Sequence, residues 1–221
     1  MKDELVIFTR PKSNISEDIR TIRTNLQFTS AEESKVLLVT SSVPGEGKSF
    51  ISSNLAAAFA QTGEPTLLID SDLRLGRVHK IFGVSNKIGL SNLLVEGDNV
   101  DYAAYVKKTD IPDLYVIPRG TVPPNPSELL NSVNAKKAVE FLRENFQHII
   151  FDGVPINGLP DSLIVAGLVD RVIIVSSANY TKIDELEDTK KALEKIDANI
   201  AGVVVNRTNQ TKRGKYSNYY E

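Results

Sequence analysis

Cysteine is absent from the 221-residue sequence, which excludes disulfide bonds and thiolate chemistry. A basic surplus is also absent, because 26 Lys and Arg residues stand against 28 Asp and Glu residues. Binding along a nucleic-acid backbone needs such a surplus, so nucleic acid is not expected as a partner. The sequence has neither an apolar run of about 20 residues nor a signal-peptide pattern, so we expect a cytoplasmic protein without a membrane-spanning helix.

What the sequence does contain is an alternation of short apolar runs and helical patterns. The apolar runs predict six strands, at residues 36–40, 66–70, 114–117, 148–152, 171–175 and 201–205. Helical patterns lie between them, at residues 48–62, 134–145, 161–168 and 181–196. This alternation predicts an α/β fold, a doubly wound and mostly parallel sheet with helices on both faces and ligands at the carboxyl ends of its strands. We expect one domain, residues 1–208, followed by a flexible polar tail, residues 209–221.

The strongest local signal is the segment VLLVTSSVPGEGKSF, a strand followed by a glycine-rich turn and the start of a helix. Glycine lets backbone N–H groups converge on an anion there, Lys48 can reach the β- and γ-phosphates of a nucleotide, and the Ser49 hydroxyl can bind Mg²⁺. The phosphate-loop pattern G-x-x-x-x-G-K-[ST] lacks only its first glycine, where Ser42 stands. The segment predicts a nucleotide site formed by Pro44, Gly45, Glu46, Gly47, Lys48, Ser49 and Phe50.

Two further predicted strands end in aspartate, at Asp70 in LLIDSDLR and at Asp152 in HIIFD. Because the carboxyl ends of parallel strands meet at one edge of a sheet, both should lie beside the phosphate loop, together with Asp72 and Arg74. Phosphoryl transfer needs a group that accepts a hydroxyl proton, and either Asp70 or Asp72 can be that base. The predicted Mg²⁺ ligands are Ser49, Asp72 and Asp152. The predicted catalytic set is Lys48, Asp70, Asp72 and Asp152, with Arg74 as a nucleotide contact.

These segments resemble a known family. SSVPGEGKS, LLIDSDLR and IIFD are similar to the Walker A, A′ and B motifs of the bacterial tyrosine kinases, and VPPNPSELL at residues 122–130 resembles that family too. The resemblance implies a P-loop NTPase fold and an ATP- and Mg²⁺-dependent protein tyrosine kinase that governs capsular or extracellular polysaccharide synthesis. It also implies a transmembrane activator whose cytoplasmic tail docks on the kinase and recruits it to the inner face of the membrane.

The chain departs from the family's pattern at two places. Leu75-Gly76 stands where the family often has Arg-Pro, and Gly153-Val154-Pro155 stands where it often has Thr-Pro-Pro. Neither departure removes a predicted phosphate or metal ligand. Both leave the contacts beside the site, and hence the level of activity, open.

A helix near the N-terminus is predicted to carry an interface. Ser16 can cap this helix, and Ile19, Ile22 and Leu26 form one apolar stripe along it. The adjacent polar face is a solvated surface or, because it is similar to the family's oligomerisation motif E-x-x-R-x-x-R, the contact that builds a ring of identical subunits. Its residues are Glu17, Arg20 and Arg23.

Tyrosine is concentrated at the C-terminus, in KYSNYYE. We predict that Tyr216, Tyr219 and Tyr220 are phosphoacceptors, which a neighbouring subunit of the ring phosphorylates. The alternative is a merely disordered terminus. Other protein tyrosines are expected as further substrates.

The last predicted strand is followed by Asn206 and Arg207, both of which we predict to bind the nucleotide. In related P-loop ATPases the asparagine contacts adenine, whereas the plainer interpretation is a strand-ending residue.

Two other functions stay open. A partition- or septum-type ATPase would resemble K-G-G-x-G-K-[ST], but Val43 stands where its extra lysine belongs. A nucleotide-gated scaffold would not need the clustered tyrosines.

Overall fold

The computed structural model of the chain describes residues 4–28, 35–96 and 100–208. Within them, one sheet has the strand order β3-β4-β2-β5-β1-β6-β7, and every neighbouring pair is parallel except β3 and β4. This confirms the predicted doubly wound fold. The strands are β1 (Val36–Ser41), β2 (Thr66–Asp70), β3 (Lys107–Lys108), β4 (Leu114–Ile117), β5 (His148–Pro155), β6 (Arg171–Ser177) and β7 (Ile200–Asn206). The predicted tail, residues 209–221, lies outside the described residues.

The central strands are covered on both faces, which is why they are apolar without alternation. Every residue of β1, β2 and β6 is buried. Leu38 and Ile69 pack into one hydrophobic cluster, whereas Leu37 and Leu68 pack into a second cluster on the other side of the sheet. The prediction missed only β3, because two lysines paired with the edge strand β4 show no hydrophobic period.

Helices flank the sheet on both faces. They are α1 (Val6–Thr9), α2 (Asn14–Phe28), α3 (Lys48–Ala60), α4 (Val78–Phe82), α5 (Leu90–Val95), α6 (Tyr102–Tyr105), α7 (Pro126–Leu130), α8 (Val133–Asn145), α9 (Asp161–Ala166) and α10 (Ile183–Glu194). The longer helices match the predicted ones within a few residues at each end. The short helices α1 and α4–α7 were not predicted, since runs of four to six residues rarely show a clear helical period, although α9, which is equally short, was predicted. No helix in the described ranges is both long and apolar enough to cross a bilayer.

The N-terminal helices pack on α3, the helix that follows the phosphate loop. The buried side chain of Asn54 in α3 donates to Glu4 O at 2.8 Å and accepts from Ile7 N at 3.2 Å. Ile19 is buried in the same cluster, with Ile22 and Leu26 packed against it, so the predicted apolar stripe is confirmed. These contacts make residues 4–28 a wall beside the phosphate loop.

The predicted cap of α2 at Ser16 is wrong. The helix begins at Asn14, and Ser13 takes the capping position because its hydroxyl accepts from Ser16 N at 3.3 Å. Ser16 is buried within the first turn, and its hydroxyl lies 3.0 Å from Val6 O and 2.8 Å from Arg10 O. It therefore fastens α2 to the preceding segment instead of starting the helix.

Candidate active site

The phosphate loop lies between β1 and α3, at the carboxyl edge of the sheet. Gly45 and Gly47 have φ angles of 82° and 97°, which side-chain-bearing residues rarely adopt. A Cβ on Gly47 would lie 2.2 Å from Asn206 Nδ2, so this position also requires a residue without a side chain. The loop borders a cleft of about 1260 Å³ that Lys48 and Ser49 also line. Pro44 and Phe50 line it as well, so the predicted loop residues gather at one site with one exception.

The exception is Glu46, whose side chain is completely buried and does not line the cleft. Its carboxylate accepts from Val43 N at 2.8 Å, from Ser177 N at 3.1 Å and from the Thr181 hydroxyl. The side chain therefore ties the phosphate loop to the end of β6 and the segment before α10. The sequence pattern does not distinguish this inward orientation from contact with a nucleotide.

Asn206 and Arg207 also line the cleft. The Asn206 side chain donates to Glu46 O at 2.8 Å and accepts from Arg207 N at 2.8 Å. In this structure Asn206 thus holds the phosphate loop from the end of β7. Contact of Asn206 or Arg207 with adenine stays a prediction.

Two of the three predicted carboxylates are buried side by side. Asp70 and Asp152 are register partners on the adjacent strands β2 and β5, and at most 1% of either residue is exposed. Asp70 Oδ2 accepts from Val78 N at 3.0 Å, whereas Oδ1 of Asp70 and Oδ1 of Asp152 have no hydrogen-bond partner among the described residues. Asp72 is partly exposed and lines the cleft, so it lies at the surface of the site and Asp70 lies beneath it.

The ionisation of these groups follows from their burial. Burial raises the pKa of Asp152 to about 6, against hydrogen bonds from Ser49 and Ser52 and the charge of Lys48. Burial and then the charge of Asp152 raise the pKa of Asp70 well above its usual range. Burial lowers the pKa of the Lys48 ammonium, although the carboxylates around it oppose that shift. Burial therefore shifts the two carboxyl groups and the ammonium toward their neutral forms.

This arrangement fits a magnesium ion. No group of three or more His, Cys, Asp or Glu side chains that could hold a metal ion is found among the described residues. Mg²⁺ usually takes one or two carboxylates together with waters and phosphate oxygens. The unpartnered Asp152 Oδ1, the Ser49 hydroxyl beside it and Asp72 on the cleft form a donor set of that kind.

Arg74 lines the cleft, but its guanidinium is held by the protein. Arg74 Nε donates to Asp161 Oδ2 at 2.9 Å, and the Ser127 hydroxyl donates to the same carboxylate. Asp161 is only 2% exposed, at the start of α9, and no sequence pattern indicates its role. Ser127 lies in the segment VPPNPSELL, which connects that segment to the site. The hydrogen bond to Asp161 raises the pKa of Arg74 further.

The predicted interface residues lie on α2, beside the cleft. Arg20 pairs with Glu17 and donates to Pro11 O at 2.9 Å. Arg23 reaches across to α3, where its Nη1 donates to Ala58 O at 2.7 Å. A subunit interface at this face stays a prediction. The predicted phosphoacceptors Tyr216, Tyr219 and Tyr220 lie outside the described residues.

Comparisons with known proteins agree on the kind of site. Residues 37–220 match the CobQ/CobB/MinD/ParA nucleotide binding domain. The chain is 36% identical to tyrosine-protein kinase YwqD of Bacillus subtilis over 220 residues, covering 99% of this chain and 92% of YwqD. The solved kinase domain of Escherichia coli tyrosine kinase ETK has a TM-score of 0.86 and 32% identity, covering 93% of this chain and 82% of that one. The chimerical protein CapA2B2 has a TM-score of 0.89 and 36% identity, covering 94% and 91%.

Proposed function

Since the chain belongs to the CobQ/CobB/MinD/ParA nucleotide-binding family and, within it, to the bacterial tyrosine-protein kinases, we propose that it transfers a phosphoryl group from ATP to protein tyrosines, its own Tyr216, Tyr219 and Tyr220 among them. The single observation that carries this proposal is the convergence of Lys48, Ser49, Asp72 and Asp152 at one sheet edge beside a glycine-built phosphate loop. The relatives that share this fold over nearly their whole length are kinases.

Each of these residues has a distinct task. The loop backbone and the N-terminus of α3 attract the phosphates, and the Lys48 ammonium neutralises charge that grows on the transferred group. Ser49, Asp72 and Asp152 are the residues that would hold Mg²⁺, and a bound Mg²⁺ would supply further positive charge to the phosphates. Because Lys48, which lines the cleft, already lies close enough to the buried Asp152 for their charges to interact, this part of the site is arranged before a nucleotide binds.

The proton of the tyrosine hydroxyl goes to one of two aspartates. A phenol has a pKa near 10 and is protonated at neutral pH, so a carboxylate must accept its proton during transfer. Asp72 already faces the cleft, whereas Asp70 is covered and would need the loop after it to move. Asp70→Asn, measured at saturating ATP and Mg²⁺, separates the two. If Asp70 is the base, this variant loses turnover while it still binds nucleotide, whereas unchanged turnover would assign the base to Asp72.

The cellular setting in this proposal comes from the family resemblance. It comprises regulation of capsular or extracellular polysaccharide synthesis, a transmembrane activator, and recruitment of a cytoplasmic kinase to the membrane by the activator's tail. Ring assembly through Glu17, Arg20 and Arg23 would bring residues 209–221 of one subunit beside Lys48 of the next. Each added phosphate carries about −1.5 to −2 charges at pH 7, so phosphorylation should loosen such a ring.

The test mixes two variants. One is Lys48→Met with its tyrosines intact, and the other is active but has Tyr216, Tyr219 and Tyr220 changed to Phe. With ATP, Mg²⁺ and the activator's cytoplasmic tail, mass spectrometry should find phosphotyrosine on the Lys48→Met chain. An unlabelled Lys48→Met chain beside a self-labelling wild type would contradict transfer between subunits. ATP hydrolysis without any phosphotyrosine would instead favour the partition-type ATPase.

A further inference from the structure

The loop of residues 71–77, which we name the Asp72 loop, carries Asp72 to the cleft. Its backbone folds around that residue, because Asp72 Oδ1 accepts from Arg74 N at 3.1 Å and from Leu75 N at 2.8 Å. Gly76 N donates to Asp72 O at 2.8 Å, which closes the turn. Ser71 N donates to Asp152 O at 3.0 Å and anchors the start of the loop to β5. The middle of the loop needs a separate anchor, because it projects beyond the sheet.

Arg74 is that anchor, and the protein holds it by both its side chain and its backbone. Arg119, which follows β4, donates from Nη1 to Arg74 O at 2.6 Å. Asp161, at the start of α9, accepts from Arg74 Nε at 2.9 Å and from Nη2 at 3.5 Å. With its N–H bonded to Asp72, Arg74 is fixed at three points. Its position therefore determines where the Asp72 carboxylate lies.

Holding a surface loop with Asp161 carries a cost in desolvation free energy, because the carboxylate is buried. Its side chain is 2% exposed, against 39% for Arg74, so a charge has been withdrawn from water to meet a guanidinium that remains half in it. A buried ion pair adds little net stability compared with apolar residues of similar volume, but it imposes direction and register on its partner. Arg74 also donates its backbone N–H to the Asp72 carboxylate, so an orientation imposed on Arg74 is passed on to Asp72.

We propose that Asp161 is a positioning residue for the phosphoryl-transfer reaction, which holds Arg74 and thereby fixes the Asp72 loop so that Asp72 faces the cleft. Asp161 itself does not line the cleft. The proposal rests on the proposed kinase function. It assigns the Arg74 guanidinium to the protein and not to the nucleotide, and it gives the segment VPPNPSELL a role through Ser127.

The first measurement uses the full chain without nucleotide or metal. In Asp161→Asn the charge that holds Arg74 is lost, so hydrogen exchange of the amides of residues 71–78 should become about tenfold faster. The matched control is Asp170→Asn. Asp170 pairs in two contacts, at 3.0 and 2.6 Å, with Arg143 and also accepts from Val36 N, at the opposite edge of the sheet. That variant should leave exchange in residues 71–78 unchanged.

The second measurement is kinetic. Asp161→Asn should lower kcat about tenfold or more and raise the Mg²⁺ concentration for half-maximal activity, because Asp72 is no longer held in place. Binding of a fluorescent ATP analogue in EDTA should stay within about twofold of wild type, because the phosphate loop is untouched. Asp170→Asn should change neither kinetic quantity. A role limited to stability would lower activity in proportion to unfolding in both variants.

A third variant keeps the proposal testable if Asp161→Asn does not fold. Arg74→Ala removes the same ion pair from its exposed end, and it should reproduce both the faster exchange and the raised Mg²⁺ requirement. The double variant should be no worse than Arg74→Ala alone, since both changes break one link. Unchanged exchange in the single variants, or additive losses in the double variant, would overturn the positioning role. If wild type labels no tyrosine, the kinase function fails while the exchange arm still decides on the loop.

Discussion

A single methyl group at Gly76 should disable the site, and the size of the effect can be worked out from the structure. Gly76 is buried, and its backbone lies outside the left-handed region that favours glycine, so alanine causes no backbone strain there. The added Cβ would lie 2.3 Å from Asp70 Oδ1 and 2.5 Å from Asp72 O. Ordinary contacts begin near 3.5 Å, so Gly76→Ala requires a movement of about 1 Å in the carboxylate or the loop.

The movement has two measurable consequences. Overpacking of this kind costs about 1–3 kcal/mol, so urea unfolding should report a destabilised but folded protein. Because a displacement of about 1 Å at a reacting group can cost about 10²-fold in rate, tyrosine phosphorylation should fall by about that factor. The nucleotide should still bind, since the three atoms nearest to the added Cβ belong to Asp70 and Asp72 and none of them to the phosphate loop.

Gly167→Ala is the matched control. Its Cβ would meet only Ile164 O, at 3.5 Å, which is an ordinary contact. We expect its stability and kinase rate to match wild type within about 0.5 kcal/mol and about twofold. If Gly76→Ala behaved like Gly167→Ala in both assays, then the Asp72 loop would be free to shift without consequence, and the reasoning about its fixed position would be wrong.

Three further predictions concern single side chains. Because the folded-state pKa of Asp152 is about 6, above its ordinary 3.8, the folded protein holds this proton more tightly than the unfolded chain does, and the contribution of Asp152 to stability falls as pH rises from about 4 to 6. In nucleotide-free protein, Asp152→Asn should therefore gain stability over wild type across that window; a difference that does not vary with pH would contradict this. In Glu46→Gln the side-chain amide has one acceptor oxygen instead of two, so it can accept from fewer of the groups that donate to Glu46, such as Val43 N and Ser177 N. The free energy of unfolding measured in urea should therefore fall by about 1–3 kcal/mol, and ATP should bind more weakly. Thr181→Val, which removes one donor only, should lose less. Arg23→Ala should lower the free energy of unfolding by about 1 kcal/mol, because the hydrogen bond to Ala58 O is lost. Equal stability would mean that this bond does not stabilise the fold, and an intersubunit contact would then be the role left for Arg23.

The sheet and the phosphate loop were predictable because their signals are local. A strand buried on both faces must be apolar at every position, as β1 and β2 are, and a backbone that wraps an anion must have glycine at residues such as Gly47. The gathering of Asp70, Asp72 and Asp152 at one edge followed from the parallel order of the strands.

Features that depend on distant partners were not predictable in this way. Asp161 contacts Arg74 and Ser127, which are far from it in sequence, and nothing in the local pattern separates it from any helix-starting aspartate. Glu46 was expected to face a nucleotide, yet three donors from separate segments draw it inward. Ser16 was expected to cap α2, but the preceding segment folds back and makes Ser13 the cap.

The strand order has a consequence for how the protein is made. Of the seven strands in the described residues, β1 is the first to leave the ribosome, yet in the sheet it lies between β5 and β6, with Val36 beside Ile149. At roughly 5–20 residues per second, translation takes several seconds or more to supply those neighbours, and the completed phosphate loop has no sheet to rest on meanwhile. A nascent chain therefore contains the whole phosphate loop before Asp152 and the strands beside β1 have been made, and we expect it not to consume ATP. Enzymatic competence should come only after β5 and β6 have joined β1.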